Sequence, residues 1–332
     1  MSDPPARPGG PLAEGASTYV LAAEAIAAGG FAEARELGRS TELEAAEGRE
    51  LYPMFIDRAM TFLLQEGVAA ERLEAEERRI EALGLPEGAR FDLEAGWSAF
   101  EAELEAFEDA CDRGDGPGAL EALHRARRTW RETHDRACDL VYGLLDVGAR
   151  LLGEDRIGDM WDHLMAPVYP SRDRYDVRTT PWEDSVEVLV RDAAVSLRGH
   201  LSGPDRVGEV EIEELADRFV LRFDPCGSGG RTLRSETASP PRMEPPFNYA
   251  VTTRPHDWAW NSEGVCLYCV HCCQLQERVP IERLGYPVRV VDPPVWPGRA
   301  SQKCTWTIYK DPSFVPEDAY RRVGLDPPSE DQ

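Results

Sequence analysis

The sequence predicts an α+β protein: an N-terminal helical region followed by a helix-packed antiparallel sheet. Three observations predict it. Residues 18–85 are rich in Ala, Glu, Leu and Arg, with apolar residues recurring at helical spacing, and two further segments over 93–111 and 119–152 continue in the same manner. After His200 the apolar positions alternate instead, as they do in extended chain. The run CLYCVHCC at 266–273 then leads into one more helix and two more alternating segments. Helices grouped first and strands grouped last are the pattern of an α+β fold.

The elements follow in order. Gly29 and Gly30, Gly67, and the triplet Gly84-Leu85-Pro86 divide 18–85 into three or four helices. The turn RGDGPG at 113–118 ends the helix over 93–111 and marks a possible unit boundary. The helix expected over 119–152 would reach roughly 50 Å. Its inward stripe runs through Leu120, Leu123, Trp130, His134, Cys138, Val141 and Leu145. Helices over 155–165 and 182–197 come next, separated by a loop bearing Pro and Arg. Val210, Ile212 and Leu215, then Phe219, Leu221 and Phe223, set out a β-hairpin. A Gly-rich loop at 227–230 and a Pro-rich excursion over 239–257 precede the cysteine run, whose helix ends near Leu284 and Gly285. Strands are expected over 287–292 and 304–309. The resulting division is a disordered tail over 1–16, a helical domain over 17–118, an α+β ligand- or metal-binding domain over 119–311, and a Pro- and Asp-rich tail over 312–332.

Charge narrows the partners. Acidic residues number 61 against 37 basic ones, for a net charge of -24. Nucleic-acid affinity comes largely from cations neutralising phosphates, so a polyanion is repelled, and anionic membrane surfaces are disfavoured for the same reason. The partner expected is a small-molecule ligand or substrate. The polar N-terminus lacks the apolar core of a signal peptide, and the longest apolar runs, such as 60–64, fall far short of the roughly 20 residues of a membrane span. A cytoplasmic location and reduced thiols are therefore expected; adjacent Cys272 and Cys273 also suit a disulfide pair poorly. The Ala-rich acidic helices offer a homo-oligomer surface as readily as a lid.

Chemistry concentrates in the cysteines, five of eight lying between Cys266 and Cys304. Cys266, Cys269, Cys272 and Cys273 with His271 fit several readings. Zinc takes thiolates completed by His or a carboxylate, with Cys226 and Cys304 able to join from distant sequence; a structural zinc contributes on the order of 10 kcal/mol to folding. A catalytic or redox thiol, its proton taken by His271, is the second reading. The spacing Cys266-x-x-Cys269-x-x-Cys272 also fits three ligands of an iron–sulfur cluster, without the usual cysteine-proline signature. Inert buried cysteines complete the set. Gly227, Gly229 and Gly230 can cradle a substrate's anionic group with their N–H groups, with Arg231 pairing to it, or can simply end a strand. His134 and Cys138 share a helix face, and Asp135 and Asp139 share the neighbouring one. His134, Cys138 and Asp139 are candidates to face a cavity; otherwise His134 is a satisfied core residue and Asp135 a partner of Arg131. His200 closes a helix, either as a cap favoured by the dipole or as a base beside Cys226. Trp258, Trp260, Tyr268 and Trp306 line a pocket or fill the core.

The order of hairpin, cysteine-bearing helix, LGYPVRVVDPP, loop and KCTWTIYK resembles the vinyl-reductase-type small-molecule-binding domain, a family that includes amino-thiazoline-carboxylate hydrolase-like proteins. The likeness covers residues 185–310. It implies a sheet of that type enclosing a cavity. It also implies a zinc held by Asp292, Cys304 and one or two of Cys269, Cys272 and Cys273. The chain departs from the family in having no cysteine between Asp292 and Cys304 and an unusually long Pro-rich excursion. With no ATPase or DNA-binding module attached, the resemblance points to a stand-alone hydrolase or lyase, the alternative being a non-catalytic binding or accessory protein. On the enzyme reading His134, Asp139, Cys226 and His271 are the catalytic candidates.

Overall fold

The computed structural model describes residues 15–83, 89–233, 250–297 and 304–328. Three helices form over the first described stretch. α1 (Thr18–Ala27) is capped by Ser17, whose hydroxyl accepts from the Val20 N–H. α2 (Phe31–Gln65) runs on through Pro53, and α3 (Ala70–Ala82) follows the Gly67 turn. α4 (Leu93–Asp112) is capped by Asp92. α5 (Gly116–Leu152) begins three residues before its expected start because Asp115 accepts from Gly118 N at 3.0 Å and Pro117 suits the first turn. The expected boundary at Gly118 thus falls inside the first turn of α5, which packs on α4.

Apolar side chains gather in two clusters. The smaller joins α1, α4 and the first half of α5 through residues such as Trp97, Phe100, Phe107 and Trp130. The larger joins the second halves of α2 and α5 to α6 (Arg156–Met165), α7 (Trp182–Gly199) and the sheet. Burying one such side chain fully contributes about 2–3 kcal/mol. Because α2 and α5 run through both clusters, the two cores share their longest helices.

The sheet is four-stranded and antiparallel, in the order β1 (Glu211–Glu214), β2 (Arg218–Arg222), β4 (Thr305–Tyr309), β3 (Val290–Asp292). Phe219 pairs with Ile308, and Leu221 and Val291 both pair with Trp306, so one face presents these side chains to the larger core. Trp182, opening α7, donates to the Tyr309 carbonyl at 2.9 Å and ties that helix to β4. The protein is of mixed helix and sheet, as an α+β fold requires.

The cysteine run leads into a helical stretch that ends at Gly285, as expected, but its turns are not uniform. α8 (Val270–Cys273) passes into a π turn over Gln274–Arg278 and then into α9 (Val279–Leu284), which ends on left-handed Gly285 at φ +90°. Pro280 in the first turn of α9 has no N–H to extend the ladder backwards. The Gln276 carbonyl instead accepts from Val288 N (3.0 Å) and Arg289 N (3.3 Å), so the chain leading to β3 hangs from this turn. The C-terminal stretch is built into the fold as far as residue 328. It carries α10 (Glu317–Arg321), and Arg322 reaches the fully buried carboxylate of Glu277 at 2.8 Å. The Pro- and Asp-rich tail expected over 312–332 thus carries a short helix; 329–332 lie outside the described residues. So do most of the expected N-terminal tail (1–14) and most of the Pro-rich excursion (234–249). Among the described residues no helix is long and apolar enough to cross a membrane.

Candidate active site

A cavity of about 320 Å³ opens where α2, the end of α7, the loop after β2, the cysteine helix and β3–β4 meet. Its position follows from local stitching. Trp130 on α5 donates to the Gly199 carbonyl at 2.8 Å, which sets His200 beside His134. Gly203 N then donates to Pro225 O, and Gly227 N to Ser202 Oγ, so the turn after α7 is sewn to the turn after β2. A Cβ at Gly227 would overlap the His200 carbonyl, so only glycine permits this approach. Leu201 and Arg206, at φ +52°, and Trp260, at φ +53°, hold left-handed conformations around the same region.

Behind the cavity wall lies a line of ionisable groups. Asp135 Oδ1 is 3.0 Å from His134 Nδ1, and His134 Nε2 is 2.8 Å from Nδ1 of the cavity-lining His200. Tyr52 Oη touches His134 Nε2 (2.9 Å), Cys138 Sγ (2.9 Å) and His200 Nδ1 (3.2 Å). Burial alone would lower the basicity of His134, but Cys138 and Asp135 outweigh it and hold the imidazole above its ordinary pKa. Burial also opposes ionisation of Cys138, yet His134, Arg231 and Tyr52 carry its thiol below the usual value. His200 moves the other way, pushed well down by burial and by His134, His271 and Arg206. The shared proton therefore resides on His134, which donates through Nδ1 to Asp135 and through Nε2 to His200. Neutral His200 accepts at Nδ1, which leaves its proton on Nε2, an atom with no hydrogen-bond partner among the described residues.

The thiols form a second group. Cys226, Cys269, Cys272 and Cys304 all line the cavity. Cys272 Sγ lies 3.3 Å from His271 Nε2, while His271 Nδ1 donates to the Tyr268 carbonyl at 2.6 Å. That second bond fixes the tautomer, so Nε2 is a free lone pair pointing at the thiol. Burial lowers His271 to about 4 and raises Cys272 well above its ordinary value, so the pair rests as thiol and neutral imidazole. Cys226, raised by burial against the pull of the Gly230 and Ser228 N–H groups, receives the Gly230 amide at 3.4 Å. Burial pushes Cys266 up, but hydrogen bonds from Cys269, Tyr142 and Thr232 outweigh it and bring it to about 7. A Cβ at Gly229 would lie 2.8 Å from Cys269 Sγ and 3.2 Å from Cys266 Sγ, so the loop backbone rests directly on these sulfurs.

Several residues singled out in the sequence take other roles. Arg231 is fully buried, 2.5 Å from Asp139 Oδ1 and 3.4 Å from Asp135, and does not line the cavity. Its charge is matched inside the protein, so it is not placed to hold a substrate anion. Asp139 partners Arg231 and does not line the cavity. Asp135 is met by Arg206 at 2.7 and 3.2 Å and not by Arg131. Cys273 donates to the Asp257 carbonyl at 3.6 Å and lies off the cavity. Asp292 is exposed and pairs with Arg322 at 2.9 Å. Among the described residues no three His, Cys, Asp or Glu side chains converge as a metal-ligand group. The expected set of Asp292, Cys304 and cysteines of the run is thus not assembled; the donors that do share a wall are the four thiols. Gly229 and Gly230 line the cavity, and Gly227 shapes it from behind.

Sequence reasoning left out Tyr52, Arg206, Arg172 and Arg289. The last two line the cavity and are buried with no carboxylate within 4 Å among the described residues. Strand phase was the available signal for Arg289: a period of two puts it on the face of Val291, which pairs with Trp306. Compared with known proteins, the chain matches no protein-family model, no curated sequence and no solved structure.

Proposed function

We propose that the protein is a small-molecule enzyme, a hydrolase or lyase, that uses Cys272 as nucleophile. The observation that carries this reading is the 3.3 Å contact between Cys272 Sγ and the free Nε2 of His271 on the cavity wall. In the first step Nε2 takes the thiol proton as sulfur bonds to an electrophilic carbon of the substrate. The departing group takes the proton of His200 Nε2, and His134 resupplies His200 through the 2.8 Å contact. In a hydrolase, water then attacks the covalent intermediate and gives its proton to the now bare Nε2 of His200, whose Nδ1 proton returns to His134. His271 gives its proton back to the Cys272 sulfur as the carbon–sulfur bond breaks. His271 lies close enough to His200 to help lower its basicity, and both line the one cavity. The resemblance of the last third to the vinyl-reductase-type domain and its hydrolase branch supports the same reading.

The test uses p-nitrophenyl acetate, a generic acyl donor. One acetyl group per chain is expected on Cys272 by peptide mass spectrometry, with the rate falling at least roughly tenfold in His271→Gln. Acetylation elsewhere in preference to Cys272, or an unchanged rate in the variant, removes the reading. A non-catalytic pocket with a structural zinc is the second reading; Cys226, Cys269, Cys272 and Cys304 line one cavity, and the side chains would have to draw together to hold the ion. Elemental analysis giving one zinc per chain, together with a Cys272 that resists acylation, would select it.

A further inference from the structure

Two buried arginines on the cavity wall have no paired carboxylate, although Glu47 acts on both and Asp192 on Arg289 from further away. Arg289, which precedes β3, is 5% exposed. It donates only to neutral oxygens, Gln276 Oε1 and the Leu189 carbonyl, both at 3.3 Å, and its Nε has no acceptor. Its guanidinium lies over Trp306, 5.0 Å from the ring centroid. Arg172, in the 3-10 segment Tyr169–Tyr175, is 7% exposed; it donates from Nε and Nη2 to Ser171 Oγ and lies over the Tyr175 ring at 5.4 Å. Neither has a carboxylate within 4 Å among the described residues. The nearby Asp192 is occupied by Arg174 at 2.9 Å and by the Tyr175 hydroxyl at 2.8 Å. Burial and the Arg289 charge, opposed by Tyr175, lower Arg172 to about 10, so the two cations feel each other. A buried cation without a counter-ion is costly, and two side by side are costlier.

We propose that this part of the cavity is a carboxylate-binding subsite, with Arg289 and Arg172 holding the anionic group of a small molecule whose planar apolar body lies along Trp306. Unfilled donors on the two guanidiniums match the two oxygens of a carboxylate. Phe55, Phe223, Val291 and Leu275 on the same wall give apolar surface for a hydrocarbon or aromatic body. The sequence placed the anion on Arg231, whose charge is already matched; the subsite moves it to Arg289 and Arg172. The proposal shares with the proposed function the location of the site and nothing of its chemistry.

The test is calorimetric binding and thermal melting of the full chain with 1-naphthoate, 1-naphthamide and 1-naphthyl phosphate. Naphthoate is expected to bind and raise Tm, with the amide at least roughly 30-fold weaker. Arg289→Met should weaken naphthoate roughly 100-fold, and Arg172→Gln roughly tenfold, with the amide unaffected by either. Arg289→Lys, which keeps the charge and loses the fork, should fall between wild type and Arg289→Met. Equal binding of acid and amide, tighter binding of the phosphate ester, naphthoate affinity unchanged in Arg289→Met, or no binding of naphthoate each overturns the proposal. A Tm of unliganded Arg289→Met well below wild type also overturns it, because it assigns the arginine to the frame. Cys272→Ser is expected to bind naphthoate as wild type does. Loss of Cys272 acylation with naphthoate binding intact defeats only the proposed function, and the converse defeats only the subsite.

Discussion

Two pairs of buried arginines near this site differ in their surroundings. Arg206 and Arg231 face Asp135 and Asp139 in charge-assisted contacts of 2.5–3.4 Å, although Arg231 Nη1 lacks an acceptor. Arg172 and Arg289 face a hydroxyl, an amide oxygen, a backbone carbonyl and two aromatic rings. Equal burial, then, has two meanings. The first pair is closed on itself: it fixes Asp135, which fixes His134, and so positions the proton relay. The second pair is open, and its missing partner has to come from outside the protein.

The largest effect expected from perturbing this contrast is at Asp135. Asp135→Asn leaves Arg206 and part of Arg231 without a counter-charge in the interior and should destabilise the protein by about 3–5 kcal/mol, read by denaturant unfolding. A loss below about 1 kcal/mol would erase the distinction between the pairs. The pH dependence comes next. His271 is depressed to about 4 in the folded protein, against an ordinary 6.5. The unfolded chain therefore binds the extra proton between those values, and stability present above pH 6.5 is lost as pH falls towards 4. The loss amounts to about 3 kcal/mol. His271→Gln should remove that part of the dependence, and a variant curve parallel to wild type would show that the imidazole is not held neutral. Arg289→Met sharpens the contrast through its sign. Without ligand it should be as stable as wild type or up to about 2 kcal/mol more stable, the reverse of Asp135→Asn. Gly229→Ala is the mildest, expected to cost about 1–2 kcal/mol by pressing on Cys269 and Cys266. An unchanged melting temperature would mean that the loop does not rest on the sulfurs.

The helical half was legible because its signals are local. Steps of three and four along α5 placed Trp130, His134 and Cys138 on one face, and all three are buried there. Glycines marked the ends of α1, α2 and α9. The hairpin was legible through the alternation of Phe219, Leu221 and Phe223. What could not be read was pairing at long range: Tyr52 meets His200 across 148 residues, and Arg206 meets Asp135 across 71. An arginine codon says nothing about whether a carboxylate will stand beside it, so Arg231 was given the ligand and Arg289 was passed over. The cysteine run signalled reactivity but not direction. The π turn after α8 and the docking of Arg322 on Glu277 decide which way each sulfur points, sending Cys272 into the cavity and Cys273 to the Asp257 carbonyl.

The chain carries a net charge of -24, and Glu47 and Glu50 stand among the residues bordering the cavity. An anion bound for Arg172 and Arg289 must cross that hostile field before it meets a welcoming one. Dissolved salt shortens the reach of the outer repulsion, to roughly 8 Å at physiological strength, and hardly touches a contact sealed from solvent. Capture should therefore quicken with ionic strength while release stays nearly constant, the opposite of an anion drawn in by a basic surface.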